Sequence, residues 1–149
     1  MVSIRGLTAR PARQGGEGVI SGIDHVVLVT RSIEESLAFY RGVLGCEVLG
    51  EAEWRRGERP FPSLRVGAAN MLNVHLADYP FGAANPQPGS EDLCFVWDGP
   101  IEDAVALLRA KGVPIEQGPV ERRGGRGGTG TSVYFRDPDG NLLELMSYR

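Results

Sequence analysis

Residues 23–45 read IDHVVLVTRSIEESLAFYRGVLG, and residues 92–112 read DLCFVWDGPIEDAVALLRAKG. Each stretch opens on a short run rich in β-branched and aromatic residues, the pattern of a strand. Each then turns helical. Leu37, Tyr40, Val43 and Leu44 share one face of the first helix, and Val105, Leu108 and Val113 play the matching part in the second. Ser32 is the expected N-cap, with Glu35 completing a capping box, and Pro100 suits a first helical turn. Both helices are expected to stop at a glycine, Gly45 and Gly112, where a left-handed cap is least strained. These glycines stand 67 residues apart, as do His25 and Asp92. Three β-like stretches follow each helix, near 47–55, 63–66 and 71–77, then near 115–122, 131–136 and 142–147. Asp137-Pro138-Asp139-Gly140 is a strong hairpin turn between the last two.

The chain therefore reads βαβββ twice. A four-stranded sheet with one helix covers only one of its faces, so the expected fold is α+β: two βαβββ modules forming a curved half-barrel around a cleft. The modules span 23–78 and 91–149 of one domain, 23–149. The intervening run, with Pro80, Pro86 and Pro88, is a linker that lets them pair within one chain or across two. Residues 1–22 carry Arg5, Arg10 and Arg13 with no acid before Glu17 and read as a flexible N-terminal tail.

Composition narrows the function classes. Sixteen basic and 19 acidic residues leave a net charge of −3, so no overall field recruits nucleic acid or an anionic membrane. No apolar run is long enough to span a bilayer. Two cysteines do not make a disulfide framework, and a reduced, cytoplasmic location is the default expectation.

Strand alternation sorts the side chains. His25, Val27 and Val29 share one face of the first strand, and Asn73, His75 and Ala77 one face of the fourth. In the last strand Leu142, Glu144 and Met146 share a face while Leu143 and Leu145 cover the other. A carboxylate on so apolar a strand is costly unless paired or bound to a cation, which singles out Glu144. The only two histidines of the chain both lie on cleft faces. His75 and Glu144 are 69 residues apart, close to the spacing of His25 and Asp92, so the repeat is expected to superimpose His75 on Glu144. His25, His75, Glu144 and Asp92 become the candidate metal ligands.

IDHVVLVTRSIEESLAFYRGVLG and VYFRDPDGNLLEL resemble the vicinal oxygen chelate superfamily, which includes glyoxalase I, extradiol dioxygenases, and fosfomycin- and bleomycin-resistance proteins. Within it, NPQPGSEDLC and VPIEQGPVERRG look closest to the glyoxalase domain-containing protein 5 group. The resemblance implies ligands on the first, fourth, fifth and eighth strands, matching His25, His75, Asp92 and Glu144. Histidine and carboxylate are exchanged here relative to glyoxalase I on the fourth and fifth strands, and the shorter Asp92 is the contested ligand. The implied cofactor is a divalent ion (Zn, Ni, Co, Mn or Fe) acting as a Lewis acid on adjacent substrate oxygens, with Glu144 as the proton-moving base. The implied activity is a glyoxalase-like lyase or isomerase acting on a small oxygenated metabolite, in a homodimer. An extradiol-type dioxygenase and a metal-free, ligand-sequestering protein are the alternatives.

The glycine- and arginine-rich run 121–130 is not a P-loop, since no Gly-Lys-Ser/Thr follows. It reads as a hairpin loop, or as a lid in which Arg122, Arg123 or Arg126 holds a substrate carboxylate or phosphate. Cys94 is expected to face the cleft as an inert thiol.

Overall fold

The computed structural model describes residues 19–149, so the assigned tail lies, up to residue 18, outside the described residues. The order is β1 (His25–Thr30), α1 (Ile33–Gly42), β2 (Val48–Leu49), α2 (Glu51–Arg55), β3 (Ser63–Val66), β4 (Asn70–Leu76), β5 (Asp92–Val96), α3 (Ile101–Ala110), β6 (Gln117–Arg123), β7 (Thr129–Arg136) and β8 (Leu142–Ser147). They form two open, mixed, four-stranded sheets, β1-β4-β3-β2 and β5-β8-β7-β6, the α+β duplication expected from the repeat.

The stretch 47–55 departs from expectation. Only Val48 and Leu49 are extended, and Gly50, at φ 69°, turns the chain into α2. After the two apolar residues comes EAEWR, rich in helix formers, so local propensity outweighs the β-like start. The capping box is half formed. Ser32 Oγ accepts from the Glu35 amide at 3.3 Å, but the Ser32 amide donates to Thr30 Oγ1 at 3.1 Å rather than to Glu35. Gly45 and Gly112, both at φ 69°, end the helices as expected.

The register changes the repeat arithmetic. His25 pairs with Met71 in the first sheet and Asp92 with Leu142 in the second. Those central-strand partners are 71 residues apart, not 69, so Asn73 is the counterpart of Glu144, and His75 is the counterpart of Met146. The expected superposition of His75 on Glu144 is corrected accordingly. The extra residues lie between Gly112 and β7, where the second half builds the long β6–β7 hairpin and the first half builds α2.

One core joins the modules. Leu28, Leu64, Val74, Phe135 and Leu143 of the strands belong to a single buried cluster with Leu37 of α1 and Leu108 of α3. Phe39 meets Phe135 with ring centroids 6.5 Å apart. The DPDGN turn is a polar latch across this joint. Buried Asp137 accepts from Tyr40 Oη at 2.9 Å, from Asn141 Nδ2 at 2.8 Å and from the amides of Asp139 and Asn141. Asp139 accepts from Thr30 Oγ1 at 2.5 Å and from the Arg31 amide at 3.1 Å. A buried carboxylate with this many donors is satisfied as an anion, which is why an acidic turn sits inside the molecule.

Candidate functional site

Opposite the helix side, each sheet presents an open face built in rows across the strands. On the first sheet, His25 stands in a row with Met71 and Arg65; the next row holds Val27, Asn73 and Ser63, and the next Val29 and His75. Asn73 Oδ1 accepts from Ser63 Oγ at 2.6 Å, which in turn accepts from Arg59 Nη2 at 2.8 Å. His25 is exposed, with Nδ1 2.8 Å from Asp24 Oδ1. His75 is buried, its ring tilted against those of Phe61 and Tyr79 with centroids 4.0 and 4.4 Å away, and its Nε2 has no partner. Burial, with a smaller push from His25, lowers the His75 imidazole below its ordinary value, which favours the neutral ring.

On the second sheet, Cys94, Glu144 and Tyr134 form the row equivalent to Val27, Asn73 and Ser63. Arg122 Nε donates to Tyr134 Oη at 3.1 Å and its guanidinium lies 5.6 Å from the ring centroid. The two central rows thus share a plan: an arginine, a hydroxyl and then a carboxamide in one half, a carboxylate in the other. Glu144 Oε1 is buried without a partner. Cys94 is exposed as a residue, yet desolvation of its thiol and the charge of Glu144 push it up to about 12. Burial also raises the Tyr134 phenol, Arg122 pulls it back in part, and Glu144 adds to the rise. Both flanking groups therefore stay protonated at neutral pH and bear on Glu144 only as donors.

The candidate ligands fall on two sheets, His25 and His75 on the first, Asp92 and Glu144 on the second. The chain does not set His75 beside His25, because His75 lies four residues along β4 from His25's partner Met71. Among the described residues no three His, Cys, Asp or Glu side chains come together as a metal cradle. In kind the donors suit a divalent ion: two imidazoles, two carboxylates, and an unpartnered buried oxygen on Glu144. Of the arginines proposed for a lid, Arg122 is held against Tyr134, Arg126 lies 5.9 Å from the Tyr148 ring, and Arg123 is exposed. Sequence reading placed Asn73 on the cleft face without a role and missed Ser63, Arg59 and Tyr134; the signal for the strand residues was alternation, read along the right register.

Fold and rows define a duplicated small-molecule module, and the chain belongs to the Glyoxalase/Bleomycin resistance protein/Dioxygenase superfamily, which matches residues 22–145. It is 38% identical over 132 residues to the virulence protein STM3117 of Salmonella typhimurium, covering 87% of this chain and 86% of that protein. The crystal structure of STM3117 superimposes with a TM-score of 0.79 at 37% identity, over 89% of this chain and 100% of the other. The glyoxalase domain-containing protein RDO1 of Mycosarcoma maydis is 35% identical, covering 99% of this chain and 80% of that protein. A lactoylglutathione lyase from Agrobacterium tumefaciens, at 24% identity and a TM-score of 0.66 over 87% of this chain and 96% of the other, shares the fold.

Proposed function

We propose that the protein is a metal-dependent, glyoxalase-like lyase or isomerase of the glyoxalase domain-containing protein 5 type, acting on a small oxygenated metabolite. Glu144 is the base. The observation that carries this reading is its buried, unpartnered Oε1, set in a row with two groups that remain protonated. An oxygen so placed has exchanged water for nothing within the chain, so a ligand proton or a cation is what would satisfy it. Tyr134 and Cys94 flank the carboxylate, and Arg122, behind Tyr134, supplies positive charge that a substrate oxyanion would meet. Arg123 and Arg126, on the same hairpin, are the further candidates for that contact.

A divalent ion held by His25, Glu144 and Asp92, with His75 as the candidate furthest from the rest, would supply Lewis-acid polarisation of neighbouring substrate oxygens. Because the donors lie on two sheets, this reading makes the working unit a homodimer in which the open face of one copy meets that of the other. The test is metal uptake and thermal shift on purified protein offered zinc, nickel, cobalt, manganese or iron(II). Near-stoichiometric uptake, lost in Glu144→Gln while the fold is kept, is expected; a wild type that takes up no metal and gains no stability overturns it. The second reading, a metal-free protein that sequesters a ligand, is favoured by the absence of a three-ligand cradle among the described residues. It would be supported by ligand binding unchanged in Glu144→Gln.

A further inference from the structure

The two halves differ in what stands beside their long helices. In the first, α2 lies between β2 and β3 and is tied to α1. Its Glu51 pairs with Arg41, the basic residue in the last turn of α1, and its Arg55 reaches Glu34 at 2.6 Å. Trp54 of α2 packs against the core. In the second half β6 passes into β7 through residues 124–128 with no helix between them. Arg109 stands in the last turn of α3, as Arg41 does in α1, yet among the described residues it forms no ion pair.

Beside α3 there is instead a partly open groove of about 340 Å³. It is walled by Val105 and Arg109 of α3, by Val113 and Ile115 of the connection, and by Gly118 and Pro119 of β6. The groove lies on the core side of the second sheet. A Cβ on Gly118 would stand 3.2 Å from Val133 Cγ1, and Val133 is a core residue that alternates with Tyr134, the row partner of Glu144. The open face that carries Glu144 is therefore on the opposite side of the sheet. Strand β6 bulges at the groove: Gln117 pairs with Tyr134 and Val120 with Ser132, so β6 spends one residue more than β7 over this span. A bulge takes its extra residue out of the ladder, which leaves Gly118 and Pro119 to line the groove.

We propose that this groove binds a small aromatic carboxylate, its ring against the valine, isoleucine and proline walls and its carboxylate on Arg109. Two observations set the class. Arg109 is the one charged group among the lining residues, so an anion meets a counter-charge there and a cation meets repulsion. The first half of the chain already uses this pairing, since α2 brings a ring to the core and a carboxylate to the arginine of the last helical turn. Lys111, at the C-cap of α3, adds positive charge at the same end. The site is separate from the base and metal chemistry assigned to Glu144 and goes beyond that reading.

Phenylacetate tests it, with phenethylamine as the cationic control, by titration of the full chain against the Val105 and Val113 methyl resonances in the presence of a chelator. Without metal, the outcome is independent of whether Glu144 and its neighbours hold an ion. Phenylacetate is expected to give saturable shifts at these methyls, and phenethylamine none. Arg109→Gln, a change at an exposed side chain, is expected to weaken phenylacetate roughly tenfold, and Arg109→Glu to abolish its binding. Shifts confined to the cleft-face methyls of Val27 and Val29, no saturable binding, equal affinity in either Arg109 variant, or phenethylamine binding as tightly as phenylacetate overturns the proposal.

Discussion

At Cys94 the chemistry of a single residue reports on its neighbour. Its thiol is pushed up to about 12 by desolvation first and by the Glu144 carboxylate second. At pH 8 it is almost wholly protonated and a poor nucleophile. Neutralising Glu144 removes a negative charge that disfavours the thiolate, so the Cys94 pKa falls. Iodoacetamide should alkylate Cys94 faster in Glu144→Gln than in wild type, measured in a Cys46→Ser background. Equal rates would mean the two side chains do not communicate. The same row explains why Glu144 stood out in the sequence while Tyr134 did not. A glutamate between leucines is anomalous by composition, whereas a tyrosine in a strand is ordinary until its register partner is known.

Among the elements, the DPDGN turn and α2 contrast most. The two carboxylates of the turn are buried and hydrogen-bonded, so removing one donor leaves part of that network unsatisfied. Tyr40→Phe should destabilise the fold by about 1–3 kcal/mol in urea unfolding, with little change in structure. By contrast, α2 buries no residue and is held by Arg55, which reaches Glu34 at 2.6 Å and Glu51 at 2.6 Å, while Arg41 also pairs with Glu51. Arg55 holds the Glu51 and Glu34 carboxyls below the usual carboxylate range. Folded values below the unfolded ones mean that this stabilisation is present at neutral pH and is lost as pH falls through the folded values. Amide exchange in 51–55, corrected for intrinsic rates, should therefore rise first on acidification, and high salt should mimic acid weakly.

For the whole molecule, the decisive property is that the two open faces lie on different sheets. Val96 is 47% exposed on β5, two residues beyond Cys94 and on its face, and Phe81, in the segment between β4 and β5, is 89% exposed. Sedimentation velocity should show a dimer at micromolar concentration. Val96→Glu should shift it toward monomer and lower metal uptake in parallel. A monomer that takes up metal stoichiometrically would mean one chain closes the site unaided. No helix among the described residues is long and apolar enough to cross a membrane.

Periodicity and turn chemistry were enough to read the duplicated βαβββ plan, the helix-side core, the glycine helix ends and the prominence of Glu144. Each is read from a pattern inside one strand, helix or turn. Only the tertiary structure decided that Asn73, rather than His75, corresponds to Glu144, and that part of 77–91 lies against the first sheet. The reason is physical. Strand alternation has a period of two, so sliding one strand by two residues past its neighbour leaves every side chain on the same face and the hydrophobic pattern unchanged. Sequence can therefore say which face a histidine occupies. Which row it stands in, and hence what it touches, is set by the length of the hairpins and by what packs across the sheet.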